Sequence, residues 1–293
     1  MTGSSSGFGE VIVKTLAADG YHVYATMRNV LGRNAGAAGS LSEWAENQGA
    51  VLNVLEMDVA DDDSVNGAVA SILDAGERLD VVVNNAGISA SGPLEGFSSA
   101  QVQALFNINA FGPLRVDRAV LPHMRARGTG LLLHISSTLG RILPGGGGLY
   151  PASKWALEGL IESLYYQVLP FGVDVVILEP GSFPTPAVSK GLQPDNQEIA
   201  AEYAGRTPGS QRAATPGPGY VQPDIQEVAD AVKRLIEIPQ GERPLRSVVG
   251  PIFTTGVEEF NREYEAFKQR LLESLKRPDQ AITWGLSRSP RPS

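Results

Sequence analysis

Residues 131–154 read LLLHISSTLGRILPGGGGLYPASK. The opening run, LLLHIS, is apolar nearly throughout and stops at small polar residues, the pattern of a short strand buried on both faces of a parallel sheet. Ser136 and Ser137 therefore stand at a strand end, and a glycine run at 145–148 leads onward. From Tyr150 the spacing turns helical, with Ala156, Leu157, Leu160, Ile161, Leu164 and Tyr165 three or four residues apart, and Pro151 suits a first helical position. Tyr150 and Lys154 are then i and i+4, one turn apart on one face. A free phenol ionises near pH ~10, and a neighbouring cation favours the phenolate. Lys154 is thus expected to lower the pKa of Tyr150, while Ser136 or Ser137 binds the oxygen that exchanges the proton, a general acid/base with an orienting partner. Tyrosine and lysine at this spacing also occur on exposed helices, so the chemistry needs a ligand site beside it.

Composition narrows the classes. A chain of 293 residues with 42% hydrophobic residues supports one large α/β domain, and the absence of cysteine removes disulfides and thiolate nucleophiles. His22, His123 and His134 lie far apart without ligand spacing, so no metal is expected. A net charge of -8 argues against nucleic acid as a partner. No apolar run approaches the roughly 18 residues of a membrane span, and the start lacks the basic and apolar regions of a leader. A soluble, cytoplasmic protein is expected.

The ligand site is expected at the other end of the chain. TGSSSGFG, residues 2–9, places Gly3, Gly7 and Gly9 ahead of a helical pattern through Val11, Ile12, Leu16 and Ala17. Glycines at a helix entrance let backbone N–H groups approach a phosphate, which the helix dipole also favours. The strand YHVYATM follows, and its end meets the adenosine ribose in a dinucleotide site about 20 residues past the glycines. An acid there binds the 2'-hydroxyl of NAD, whereas this chain has Met27 and then Arg28. An arginine suits a 2'-phosphate, so NADP(H) is expected over NAD(H), the alternative being a solvated loop arginine.

Strands and helices alternate from there. Residues 31–39 read as a loop, SLSEWAEN as a helix capped near Ser40 or Ser42, VLNVLEM as a strand ending at Asp58, and LDVVVNN as the next strand, closing on Asn84, Asn85, Ala86 and Gly87. The pattern predicts a doubly wound parallel sheet with ligands at the carboxyl ends of its strands. A helical stretch over 98–127 is interrupted by Asn109, and VDVVILEPG reads as another buried strand. The proline-rich segment 182–220 is expected to cover substrate. Helices are expected at 224–238 and 256–277, the second burying Val257, Phe260, Tyr264, Phe267, Leu271 and Leu275, and a disordered tail at 278–293.

Together these pieces resemble the short-chain dehydrogenase/reductase family, from Thr2 to about Gly250, nearest to its steroid- and retinol-type branch. The family pattern TGxxxGxG matches Thr2, Gly3, Gly7 and Gly9; NNAG matches Asn84, Asn85, Ala86 and Gly87; YxxxK matches Tyr150 and Lys154; PGxxxT matches Pro180, Gly181 and Thr185. The family serine stands roughly 13 residues before the tyrosine, which selects Ser137, and its asparagine falls on Asn109. The resemblance implies a Rossmann fold as a single domain, residues 1–277, and a catalytic set of Asn109, Ser137, Tyr150 and Lys154. Tyr150 would protonate the substrate oxygen, Ser137 hold it, Lys154 bond the nicotinamide ribose, and Asn109 anchor a relaying water. The implied nucleotide site takes in Gly3, Ser5, Ser6, Gly7, Phe8, Gly9, Arg28, Asp58, Val59, Asn85, Ala86, Gly87, Tyr150, Lys154, Pro180, Gly181 and Thr185, with Asp58 and Val59 at the adenine.

Family members carry an apolar strand ahead of the glycine motif, and here only Met1 precedes it. The sheet is therefore expected with its first strand cut short, through a truncated chain or a misplaced start, at a cost in unpaired backbone groups. The function expected is reversible hydride transfer between NADP(H) and a carbonyl or secondary alcohol. Leu139, Ile142, Leu143 and Phe183 suggest a hydrophobic substrate, and the resemblance suggests a homodimer or homotetramer. A catalytically silent NADP(H)-binding sensor or scaffold on the same fold is the alternative.

Overall fold

The computed structural model describes residues 1–143, 148–186, 190–206, 222–251 and 253–275. Six parallel strands carry the sheet: β1 (Val23–Met27), β2 (Leu52–Glu56), β3 (Val81–Asn84), β4 (Gly130–Ile135), β5 (Val173–Pro180) and β6 (Arg246–Val249). They fall into a pair, β1-β2, and a four-stranded run, β3-β4-β5-β6. Residues 1–4 join the two: Thr26 N–H donates to Met1 O, Thr2 N–H to Val83 O and Ser4 N–H to Thr26 O, at 2.9–3.0 Å. The expected short first strand is thus a stub that bridges β1 to β3 at the carboxyl end of the sheet. Along the rest of their lengths, β1 and β3 have no strand partner on that side among the described residues.

Alternate residues of the central strands feed two cores, which is what a sheet covered on both faces requires. Leu131, Leu133 and Ile135 of β4 and Val176 and Leu178 of β5 join one core with α1 (Phe8–Ala18) and α8 (Gln226–Glu237). Leu132, Val173, Val175 and Ile177 join the other with α3 (Asp62–Asp74), α5 (Gly112–Arg127) and α6 (Leu149–Val168). Each such leucine, fully buried, contributes about 1.5–3 kcal/mol. The remaining α-helices among the described residues are α2 (Ala35–Gln48), α4 (Ser99–Phe106), α7 (Gln197–Tyr203) and α9 (Thr254–Ser274).

Several expectations need correcting. Helix α2 begins at Ala35, inside the stretch read as a loop, because its alanines are good helix formers and Ser40 and Ser42 lie within it rather than at its cap. Helix α6 begins at Leu149, so Pro151 is its third residue, still within the first turn, where a missing N–H leaves no bond broken. In α9 the buried residues are Val257, Asn261 and Glu265, whereas Phe267, Leu271 and Leu275 are 55%, 46% and 60% exposed. The expected apolar stripe is thus buried only at its start, at Val257, and the docking face continues through the polar Asn261 and Glu265 rather than through Phe267, Leu271 and Leu275. Residues 145–147, most of the second half of the long loop and the tail at 278–293 lie outside the described residues.

Candidate active site

Strand β4 ends at Ile135, and the chain turns at once into a short 3-10 segment, Thr138–Gly140. Ser137 sits at that turn, 8% exposed, and its Oγ accepts the Leu139 N–H at 3.1 Å, which fixes the side chain at the strand end. Tyr150 opens α6 across the gap, and its phenol lies near enough to Ser137 for that hydroxyl to favour the phenolate. Lys154, one turn further, is 5% exposed, donates from Nζ to Ile135 O at 2.8 Å and lies 5.8 Å from the centre of the Tyr150 ring. The three side chains therefore meet at the carboxyl end of β4. Burial pushes the phenol up to about 12, with the Ser137 hydroxyl working the other way, and burial pulls Lys154 down to about 8 against the pull of Glu158. Desolvation of the phenolate dominates at Tyr150, and the opposing influence comes from Ser137 rather than from Lys154 as expected.

Asn109 lies in a π-helical turn, Asn107–Phe111, between α4 and α5. Such turns widen a helix by one residue and re-aim a side chain inward. Its amide is fully engaged: Oδ1 accepts Ile88 N–H at 2.9 Å, and Nδ2 donates to Ile88 O at 2.8 Å and to Ser153 Oγ at 3.0 Å. Asn109 thus braces the segment after Gly87 against α6, beside Lys154. Ser153 was invisible as a functional residue in the sequence, hidden as the small residue before the lysine.

A buried charged cluster lies behind the serines. Ser136 Oγ donates to Glu158 Oε1 at 2.9 Å, Arg246 Nε donates to Glu158 Oε2 at 3.0 Å, and Asn261 links Arg141 (2.7 Å) to Glu179 (2.6 Å). The ring centres of Phe260 and Tyr264 lie 4.8 and 4.9 Å from Arg141 Cζ. This cluster, too, escaped the sequence reading; the only signal was acids and arginines at the ends of otherwise apolar strands.

The glycine loop fits a phosphate-bearing group. Gly3 and Gly7 adopt φ of 68° and 60°, and a Cβ on Gly9 would lie 2.1 Å from Gly3 O, so the loop closes tightly over the start of α1. Gly7 gives α1 no side-chain cap, which leaves the first-turn N–H groups, with those of Ser5, Ser6 and Phe8 around them, open to an anion. Thr2 Oγ1 accepts the N–H groups of Asn85 and Ala86 at 3.0 and 3.1 Å, and Asn85 Nδ2 donates to the carbonyls of Thr2 and Gly3. Asn85 is thereby a brace of the loop. Gly87 lies against Asn109, and Thr185 lies against Gly7, so Pro180, Gly181 and Thr185 bring the end of β5 to the same place. Phe183 packs edge-on against Phe8 at 5.5 Å and is 6% exposed, so it closes the core rather than lining a substrate wall as expected.

Arg28 is exposed directly after β1, and its guanidinium has no hydrogen bond or ion pair among the described residues. Asp58 Oδ1 accepts the Ala60 N–H at 3.0 Å, which holds the turn after β2. Val59 turns its side chain inward onto Gly112. No group of three or more potential metal ligands and no helix long and apolar enough to cross a membrane occurs among the described residues.

Comparison with known proteins agrees with this geometry. The family model for short chain dehydrogenases matches residues 1–196. Retinol dehydrogenase 8 of Bos taurus is 39% identical over 212 residues, 71% of this chain and 65% of that protein. The 17-beta-hydroxysteroid dehydrogenase type 1 of Homo sapiens is 39% identical over 195 residues, 66% of this chain and 58% of that protein. The chain thus spans less than two thirds of the length of these relatives. A short-chain dehydrogenase from Streptomyces avermitilis superposes with a TM-score of 0.72 at 30% identity, over 95% of this chain and 97% of that one. An alcohol dehydrogenase from Thermococcus sibiricus, solved with 5-hydroxy-NADP, gives 0.66 at 28% identity over 86% and 94%. With the glycine loop, Asn109, Ser137, Tyr150 and Lys154 gathered at one end of a parallel sheet, the chain belongs to the short-chain dehydrogenase family, in its steroid- and retinol-type branch.

Proposed function

We propose that the chain is an NADP(H)-dependent oxidoreductase acting on a hydrophobic ketone, aldehyde or secondary alcohol. The observation that carries this reading is the meeting of Ser137, the Tyr150 phenol and Lys154, whose Nζ lies 5.8 Å from the centre of the Tyr150 ring, at the same sheet end as the glycine loop. The nicotinamide, when bound, supplies or takes the hydride. Tyr150, kept protonated near neutrality, is set to donate its proton to a carbonyl oxygen, and Ser137 donates a second hydrogen bond to the same oxygen. Lys154 faces the phenol from the helix and is free to exchange its Ile135 carbonyl bond for a ribose hydroxyl. Asn109 keeps Lys154 in place through Ser153. Gly3, Gly7 and Gly9 would hold the pyrophosphate, Arg28 the 2'-phosphate, and Asp58 and Val59 the adenine.

The substrate class is supported by Leu139, Ile142 and Leu143 beside Ser137, and by relatives that are retinol and hydroxysteroid dehydrogenases. An oligomer is part of the proposal, since Phe111 and Trp155 lie 49% and 40% exposed on the segments that carry Asn109 and Tyr150. Tyr150→Phe tests the mechanism. Reduction of a ketone and aldehyde panel should fall by about 10²–10⁴ while NADPH binding stays within a few-fold. Full activity in the variant would remove Tyr150 from proton transfer, and a wild-type chain that binds NADPH but reduces none of the panel would favour the silent sensor.

A further inference from the structure

Glu56 makes a contact that neither the catalytic centre nor core packing requires. It ends β2 in register with Met27, the last residue of β1, so the two carboxyl ends lie side by side. The chain leaves β1 through Arg28 and enters Asn29 at a φ of 53°, in the left-handed region. That turn aims two successive N–H groups at one point, and both find the Glu56 carboxylate: Asn29 N–H donates to Oε1 at 3.0 Å and Val30 N–H to Oε2 at 3.1 Å. Asn34 Nδ2 holds the Arg28 carbonyl at 2.6 Å from the other side, leaving the Arg28 side chain exposed. Converging backbone N–H groups are a recurrent means of holding phosphate. Here they lie in the loop just past the strand where a dinucleotide's ribose 2'-substituent is read, and the anion they hold is the protein's own.

We propose that Glu56 is a specificity-determining residue of the adenosine-ribose pocket: its carboxylate fills the backbone donors of the 29–30 turn and opposes the 2'-phosphate that Arg28 attracts. The inference rests on the nicotinamide-nucleotide reading above. Without Glu56, Arg28 and two N–H donors would all face the phosphate, and discrimination against NADH would be strong. With it, one like charge and two occupied donors offset Arg28, and the preference for NADPH is narrower than Arg28 alone would set. A carboxylate near a phosphate at a hydrated surface acts through a partly screened Coulomb repulsion, enough to move a binding constant by about tenfold.

Titration calorimetry of NADPH and NADH with the wild-type chain and with Glu56→Gln tests this, with the thermal midpoint recorded for each. The amide keeps one acceptor and the shape of the side chain but removes the charge. NADPH should bind about tenfold more tightly to Glu56→Gln while NADH changes little, and the NADPH gain should shrink as salt rises from 50 to 500 mM. An unmoved NADPH-to-NADH ratio, including equal weakening of both, makes Glu56 a loop tether only and overturns the inference. A ratio that moves toward NADH overturns it as well. A wild-type chain that binds neither nucleotide defeats the nicotinamide reading itself, and this inference with it.

Discussion

The phenol of Tyr150 and the ammonium of Lys154 are displaced in opposite directions by one cause, their removal from water. For Lys154 the folded value, about 8, lies below the unfolded 10.5, so between those values the unfolded chain binds more protons and stability rises with pH. Buried Lys154 therefore costs stability below pH 8, and the cost is relieved as pH climbs towards 10.5. Lys154→Met should be the more stable protein at pH 7, by on the order of 2 kcal/mol, and lose that advantage between pH 8 and 10.5. Urea unfolding of both proteins at pH 7, 9 and 10 measures the crossing, and a pH-independent difference would refute the buried-cation account. The identities of Tyr150 and Lys154 were legible from a four-residue spacing. Their electrostatics were not, because a sequence gives neighbours along a helix but not how much water a folded sheet excludes.

At the scale of elements, strands read more truly than helix faces. The run LLLHIS became β4 because its side chains alternate between two apolar cores, so every position wants the same kind of residue. Helix α9 misled for the opposite reason: its visible stripe of Phe267, Leu271 and Leu275 is exposed, and its attachment runs through Asn261, which looks like a surface residue in sequence. Asn261→Ala should cost about 2–4 kcal/mol, since it strips partners from buried Arg141 and Glu179. Leu271→Ser, on the exposed face, should stay within about 0.5 kcal/mol. Denaturant midpoints of the two variants decide it, and the reverse order would restore the apolar stripe as the docking face. The break at Asn109 was legible as a polar residue inside an apolar helix, but its partners Ile88 and Ser153 come from elsewhere in the chain and needed the fold.

For the whole molecule, the alternation of strands and helices was enough to expect a doubly wound parallel sheet, and the glycine and asparagine motifs placed its functional end. The division of that sheet into two strands and four strands held by residues 1–4 was not legible, because the bonds of Met1, Thr2 and Ser4 reach strands far along the chain. Supplying about five β-branched apolar residues ahead of Met1 should fill the space between β1 and β3. Each ladder bond gained contributes about 1 kcal/mol, and each kcal/mol moves a chain of this size by roughly 2–4 °C, so the thermal midpoint should rise by on the order of 10 °C. Scanning calorimetry with and without the added segment measures this, and an unchanged midpoint would show that the open edges are not a weakness.

Residues 1–4 serve two assemblies at once, since Thr2 and Ser4 bond to Thr26 and Val83 of the two sheet parts while Thr2 and Gly3 carry Asn85 and Ala86 of the turn after β3. A dinucleotide spanning that turn, with its adenosine over β1 and β2 and its nicotinamide over β3 to β5, would act as a rivet through both plates of the sheet. Ligand occupancy and mechanical continuity then become one variable: at a hundredfold excess over Kd, binding adds about 2.7 kcal/mol to the folded state, and it adds it across the seam where the backbone is thinnest.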